Sequence, residues 1–481
     1  MEIAERKKLI KLCVAIGLSA LVLALPSTCF GLENLTVIEH RVIALFVFAA
    51  LMWILEPIPI WTTSVSIIVL MLLMTSTSMF NFLDYTDAIG KEAFGTKISY
   101  KAIMATFADP IVMLFMGGFA LAIGATKVGL DLNLARVMLK PFGTRSEFVL
   151  MGFMVSTAIF SMFMSNTATA AMMLAIMAPV LRQLGDDNNG KTALALCIPI
   201  AANVGGIGTP IGTPPNAIAI KYIDEHLGMH IDFMSWMSIM VPFVVLLMAI
   251  AWFLICHMYP FKQKTFHLQI EGTFRTDRKA IIVYVTFAVT ILLWAFEKLT
   301  GINSNVVAMI PLGVFAVTGI IGKEELKDLE WDVLWLVAGG FAIGLGLDAS
   351  GLIKHMVETI PFGTWSPLLV LLGSGLLCVT MSTFMSNTAS ANLLVPILAA
   401  VGVGMGDTLA PYGGVSAMLI GIALSASLAM SLPISTPPNA LAYSTGNLKQ
   451  GDMAKVGIIL GIIGIVLGYI LVVSACKMNL L

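Results

Sequence analysis

Met164-Ser165-Asn166-Thr167-Ala168 sets a hydroxyl, an amide and a second hydroxyl side by side, and the same five residues return as Met385-Ser386-Asn387-Thr388-Ala389, 221 positions later. An asparagine amide offers an oxygen to a cation and N–H groups to an anion, and a hydroxyl can do either. Ser161 and Ser382 stand four residues before Ser165 and Ser386, on the same face if the segment is helical. A second duplicated signature follows each first one: Thr213-Pro214-Pro215-Asn216-Ala217 and Thr436-Pro437-Pro438-Asn439-Ala440, 223 apart. Proline has no N–H and clashes with the preceding turn, so a helix arriving there must break before Pro214 and Pro437. Thr213 and Thr436 can cap a new helix with proline in its first position. Residues 205–212 and 431–435 are then unwound: their free carbonyls suit a cation, and the restarted helix ends suit an anion.

These polar signatures sit in a chain of 481 residues that is 58% hydrophobic and only 11% charged. Apolar runs long enough to span a bilayer recur from end to end, which excludes a soluble domain. No basic arm points to nucleic acid, and the six cysteines form no CxxC pair. A single Ser-Asn-Thr in a membrane helix reads as hydrogen-bonding glue, and a single Pro-Pro as a kink. Duplication at matched offsets turns both readings toward a binding site. Gly117-Gly118-Phe119-Ala120 also returns, as Gly339-Gly340-Phe341-Ala342, and Pro141-Phe142-Gly143-Thr144 as Pro361-Phe362-Gly363-Thr364. The shared glycines read as close helix packing.

The fold class expected is an all-α polytopic membrane protein with 11 transmembrane helices in two inverted repeats, each of five helices and a re-entrant hairpin. A first transmembrane helix lies within 1–36. The first repeat, 37–258, holds a hairpin at 142–181 and a broken helix at 191–228. A cytoplasmic linker, 259–278, leads to the second repeat, 279–481, with a hairpin at 364–403, a broken helix at 413–446 and a last helix at 453–475. Five crossings is an odd number, so the second copy enters the membrane from the opposite side. With the amino terminus cytoplasmic and the carboxyl terminus outside, 18 Lys and Arg fall in inner connections and 8 in outer ones, as the positive-inside rule requires. Segments 81–105 and 322–330 read as amphipathic arms along the membrane surface.

From Lys191 to Lys221, from Glu358 to Asp407 and from Asp407 to Lys449 no charged residue intervenes, so the expected site is uncharged. An anion bound there needs accompanying cations, and coupled sodium ions supply them without a buried protein charge in the empty state. An intramembrane hydrolase, the reading from another class, would need a nucleophile paired with a base or two aspartates, which an uncharged centre does not offer.

Two Ser-Asn-Thr tips, two Thr-Pro-Pro-Asn breaks, the early Glu56-Pro57-Ile58-Pro59 turn and eleven spans together resemble the divalent anion/sodium symporter family. The resemblance implies a secondary transporter of the plasma (inner) membrane, not an enzyme, with no cofactor beyond sodium as coupling ion. It further implies a homodimer in which each protomer's transport domain slides as an elevator past a scaffold. By this resemblance one sodium site uses Ser161, Ser165, Asn166 and Gly212, and the other Ser382, Asn387 and Ser435. The substrate lies among Ser165, Asn166, Thr167 and Pro214 on one side and Ser386, Asn387, Thr388 and Pro437 on the other. The expected activity is sodium-coupled symport of C4-dicarboxylates such as succinate, malate or fumarate. A sodium-independent dicarboxylate exchanger and a sodium-coupled citrate or sulfate transporter are the alternatives.

Overall fold

A computed structural model describes residues 2–265, 273–478 and 480. The expected linker, 259–278, is covered except for 266–272, which lie outside the described residues. Among the described residues there is no sheet, only two isolated bridges. Helices dominate because hydrocarbon offers no partner to a free N–H or C=O, and a helix satisfies both within itself. The chain is an all-α polytopic membrane protein.

The first half begins with α1 (Glu2–Ala24), α2 (Val37–Leu55) and α3 (Ile60–Met74). Glu56 ends α2 in the left-handed conformation, and Pro59 opens α3, so the Glu-Pro-Ile-Pro stretch is a tight reversal. After the 81–105 segment come α4 (Pro110–Val128) and α5 (Leu130–Leu139). The hairpin arms are α6 (Ser146–Phe163) and α7 (Asn166–Gln183), and the broken helix is α8 (Asn188–Gly206) with α9 (Pro214–Leu227). α10 (Phe233–Met258) closes this half.

The second half runs through α11 (Arg278–Ala295), α12 (Ser304–Val317), α13 (Trp331–Ala349) and α14 (Leu352–Thr359). Its hairpin is α15 (Pro367–Phe384) with α16 (Asn387–Met405), and its broken helix α17 (Gly414–Ser427) with α18 (Pro437–Ser444). α19 (Gln450–Lys477) ends the chain. Among the described residues nine helices are long and apolar enough to cross a bilayer. α6, α15 and α16 are among them, because a hairpin arm and a span look alike by length and hydropathy. What separates them is the reversal: only Met164-Ser165 and Met385-Ser386 lie between the arms of each pair.

Packing sorts most of the helices into two groups. α1, α2, α3, α4, α11, α12 and α13 pack chiefly among themselves, and the hairpins, the broken helices, α10 and α19 chiefly with one another, while α13 also packs directly against the hairpin arm α16. The shared glycines make close approaches. A Cβ on Gly117 would lie 1.9 Å from the Ala308 carbonyl oxygen, and one on Gly339 would lie 2.4 Å from Ser64 Cβ. Neither could be built without parting α4 from α12 or α13 from α3.

The 81–105 arm is more firmly seated than a helix lying on a membrane surface. Arg41 donates from α2 to the carbonyls of Met74 and Leu83, each at 2.7 Å, and its guanidinium faces the rings of Tyr85 and Phe94. Phe94 is fully buried. An unpaired arginine on an apolar helix finds its acceptors in the carbonyls of a neighbouring turn, and so pins the arm.

Candidate functional site

The two hairpin tips and the two helix breaks meet around one cavity of about 350 Å³. Ser165, Asn166, Thr167, Gly212 and Pro214 from the first half line it, as do Ser386, Asn387, Thr388, Ser435 and Pro437 from the second. Ser161 and Ser382 lie just behind the tips, fully buried.

Each tip is built the same way. Ser165 caps α7 by accepting from Ala168 N at 3.2 Å, and Ser386 caps α16 by accepting from Ala389 N at 3.1 Å. Asn166 and Asn387 are thereby the first residues of their helices. Pro214 and Pro437 likewise open α9 and α18. Four helix N-termini therefore converge on the cavity, and each carries partial positive charge and unpaired N–H groups. The two threonine caps differ. Thr436 accepts from Asn439 N at 3.3 Å, whereas Thr213, which also lines the cavity, makes no capping bond.

Behind the first tip, oxygens cluster. Ser161 Oγ donates to Ala202 O at 2.7 Å and lies 2.5 Å from Asn166 Oδ1. The same amide atom lies 3.2 Å from Ala202 O and 3.2 Å from Gly212 O. With nitrogen turned inward the Asn166 amide donates to these acceptors; with oxygen turned inward four neutral oxygens face one another, an arrangement that a hard monovalent cation satisfies. Two glycines make it possible. A Cβ on Gly206 would stand 2.7 Å from the Asn166 amide oxygen, and one on Gly212 would stand 2.4 Å from Gly206 O. Asn216, two residues into α9, holds the unwound loop by donating to the carbonyls of Gly206 at 3.0 Å and Thr209 at 2.8 Å.

The second tip repeats the pattern. Ser382 Oγ, with one proton to share, lies 2.7 Å from Asn387 Oδ1 and 3.0 Å from Ala426 O. Asn439 donates to Met430 O and Leu432 O, each at 2.9 Å, as Asn216 does in its own loop. Ser435 ties the loop to the hairpin arm through Thr383 O at 2.9 Å.

A family model described as the sodium:sulfate symporter transmembrane region matches residues 6–479, nearly the whole chain. The chain belongs to this symporter family. An uncharacterized transporter of Haemophilus influenzae is 34% identical over 77% of the chain and 82% of its own length. The sodium-dependent dicarboxylate transporter SdcS of Staphylococcus saprophyticus is 29% identical over 94% of the chain and 89% of its own length. Its namesake in Staphylococcus aureus is 29% identical over 86% of the chain and 82% of its own length. In fold the chain is similar to the Alcanivorax borkumensis YdaH transporter, with a TM-score of 0.53, 12% identity and coverage of 78% of this chain and 87% of that one.

Ser165, expected beside Ser161 and Gly212, also meets the start of α13. Its hydroxyl donates to the carboxylate of Glu330. The expectation of an uncharged centre needs correction accordingly: Glu330 and Asp332 both line the cavity. They escaped the reading because they come from the start of α13, outside the three charge-free stretches, and 165 positions separate Glu330 from Ser165 in sequence. Burial raises the Glu330 carboxyl above the ordinary glutamate range, the Ser165 hydrogen bond opposes the rise, and Asp332 adds to it.

Asn203 is another residue that the sequence reading passed over. Buried on α8, it donates to Thr436 Oγ1 and Asn439 Oδ1, both at 3.2 Å, and so ties the first repeat to the second break. An amide inside an apolar run is itself a signal of this kind. The carbonyls of Ala202 and Ala426 carry no such signal, since a main-chain oxygen is present at every position.

Proposed function

We propose that the chain is a sodium-coupled symporter that imports C4-dicarboxylates such as succinate, malate and fumarate across the inner membrane. The observation that carries this reading is the pair of neutral oxygen clusters, around Ser161–Asn166 and Ser382–Asn387, flanking one cavity onto which four helix N-termini converge. Sodium ions among Ser161, Asn166 and Gly212, and among Ser382, Asn387 and Ser435, would offset the two negative charges of the substrate. Ser165, Asn166 and Thr167 would then meet one carboxylate near Pro214, and Ser386, Asn387 and Thr388 the other near Pro437. The relatives named as sodium-dependent dicarboxylate transporters support the same reading.

A carbon chain between two anionic ends suits the cavity better than a compact sulfate does. Phe115, Phe119, Ile211, Val333 and Leu336 supply apolar wall between the polar tips. The two packing groups of helices support an elevator cycle, in which the hairpins and broken helices carry the cavity past a scaffold built on α2, α3, α4, α12 and α13. The reading includes a homodimer, with the amino terminus cytoplasmic and the carboxyl terminus outside.

The test is uptake of labelled succinate into proteoliposomes holding purified protein, with an inward sodium gradient or with potassium in its place. Uptake into empty vesicles that requires sodium is expected. Asn166→Ala and Asn387→Ala should each abolish it while the protein still elutes as a folded species. Uptake that ignores sodium and requires internal succinate would make the protein an exchanger and would remove the cation role from both clusters.

A further inference from the structure

We propose that Glu330 is a built-in competitor of the substrate: its carboxylate holds the Ser165 hydroxyl that a carboxylate of the dianion takes, so the dianion binds by displacing it. This inference rests on the dicarboxylate reading above and deepens it.

Glu330 occupies the N-cap position of α13, where an acidic side chain ordinarily accepts an N–H of its own helix. It makes no such bond. Its carboxylate reaches instead to the tip of the first hairpin and accepts the Ser165 proton. Among the described residues no lysine, arginine or histidine forms an ion pair with it, so the contact is not one half of a buried salt bridge. The charged groups around it are mostly of its own sign. Asp332 is on the same helix and Asp328 and Glu325 are on the preceding turn, while Lys127 at the end of α4 is already paired with Glu325.

Position adds a second argument. Ser165, Glu330 and Phe119 line the central cavity and also a neighbouring one of about 360 Å³ that Lys127, Glu325 and Asp328 rim. The Ser165–Glu330 contact is therefore the neck between the two. Ser165 has one proton to donate, and two carboxylates crowded at one hydroxyl repel each other. A dianion at the first tip and an ionised Glu330 on Ser165 exclude one another. Because Glu330 belongs to the scaffold group and Ser165 to the hairpin, the competition operates only when the tip stands at α13. It favours release of substrate in that arrangement and leaves binding in any other unopposed.

Glu330→Gln keeps the shape and a weak acceptor but removes the charge; Glu330→Ala removes the competitor altogether. Equilibrium binding of labelled succinate to purified protein in saturating sodium should be about tenfold tighter or more in both variants, and in proteoliposomes KM and the maximal rate should fall together as release slows. A role in packing alone would instead lower the rate without tightening binding. Asp332→Asn is the comparison, since it removes a charge from the same wall without touching Ser165. Succinate affinity in both Glu330 variants equal to or weaker than wild type overturns the proposal, and so does an equal gain in Asp332→Asn, which would reduce the effect to a general field. Sodium-dependent uptake by the wild type with unchanged affinity in the Glu330 variants refutes this assignment alone. Wild-type protein that neither binds nor takes up succinate refutes the dicarboxylate reading with it.

Discussion

Ser161→Ala removes one buried oxygen from the first cluster and nothing else. The hydroxyl is fully buried, donates to Ala202 O at 2.7 Å and touches Asn166 Oδ1 at 2.5 Å. Losing a buried partner costs about 1–3 kcal/mol, since the acceptors left behind stay desolvated. If Ser161 is a sodium ligand, that cost falls on the ion-bound form, and at about 1.4 kcal/mol per tenfold the sodium half-saturation for succinate uptake should rise roughly 5- to 150-fold. Ser156→Ala is the matched control. Ser156 sits on the same helix, equally buried, and its hydroxyl has no partner, so its removal should leave sodium dependence unchanged. The assay is initial uptake into proteoliposomes as external sodium is varied, with sodium-dependent thermal stabilisation of the purified protein as a second readout. A Ser161→Ala protein with wild-type half-saturation and wild-type stabilisation by sodium would refute the cluster as an ion site.

Gly206→Ala would drive a methyl group to 2.7 Å from the Asn166 amide, so sodium-dependent uptake should be lost in protein of normal yield. Gly313→Ala, whose Cβ meets nothing within 4 Å, should transport normally. Lys221 pairs with Asp109 and Glu225 and lies 4.6 Å from the Phe341 ring centroid, with 14% of its side chain exposed. Lys221→Met should destabilise the protein by about 3–5 kcal/mol by stranding Asp109, and adding Asp109→Asn should recover most of that in a thermal or denaturant titration. Asp187 is drawn upward by burial, but N–H groups of Gly190, Gln263 and Lys262 outweigh this and hold its carboxyl below the ordinary value of 3.8. A depressed carboxyl stabilises the fold above its unfolded value and loses that contribution as pH falls through the folded one. Asp187→Asn should therefore cost about 2 kcal/mol near neutrality, hydrogen bonds to a charged acceptor being the stronger kind, and the gap in melting temperature should close below pH 3.8.

What the sequence made legible is what duplication marks. The tips at Ser165-Asn166 and Ser386-Asn387 and the restarts at Pro214 and Pro437 stand out because side-chain type and spacing both recur, and proline forces its own break. Four kinds of feature were hidden. Main-chain oxygens such as Ala202 O, which face the first cluster, have no residue signature. Glu330 reads as the end of a surface arm until folding carries the start of α13 to the cavity. The inequivalence of Thr213 and Thr436 follows from hydrogen bonding that identical motifs cannot reveal. The seating of residues 81–105 was hidden too, since the partners that hold it to Arg41 are main-chain carbonyls.

Asp109 and Glu330 occupy the N-cap positions of helices that correspond in the two repeats, yet among the described residues only Asp109 meets a lysine; the position matching Lys221 is Ser444. Inverted repeats interconvert the two ends of a carrier's stroke by trading shapes between halves. Were the halves chemically identical, the idle carrier would rest equally at either end. On the proposed elevator cycle a trade of shapes cannot recreate the Lys221 pair, so the idle carrier would lean. A difference of about 3 kcal/mol would leave the opposite end populated at roughly one part in a hundred or less. Substrate and ions would then do more than ride: they would right a tilted balance.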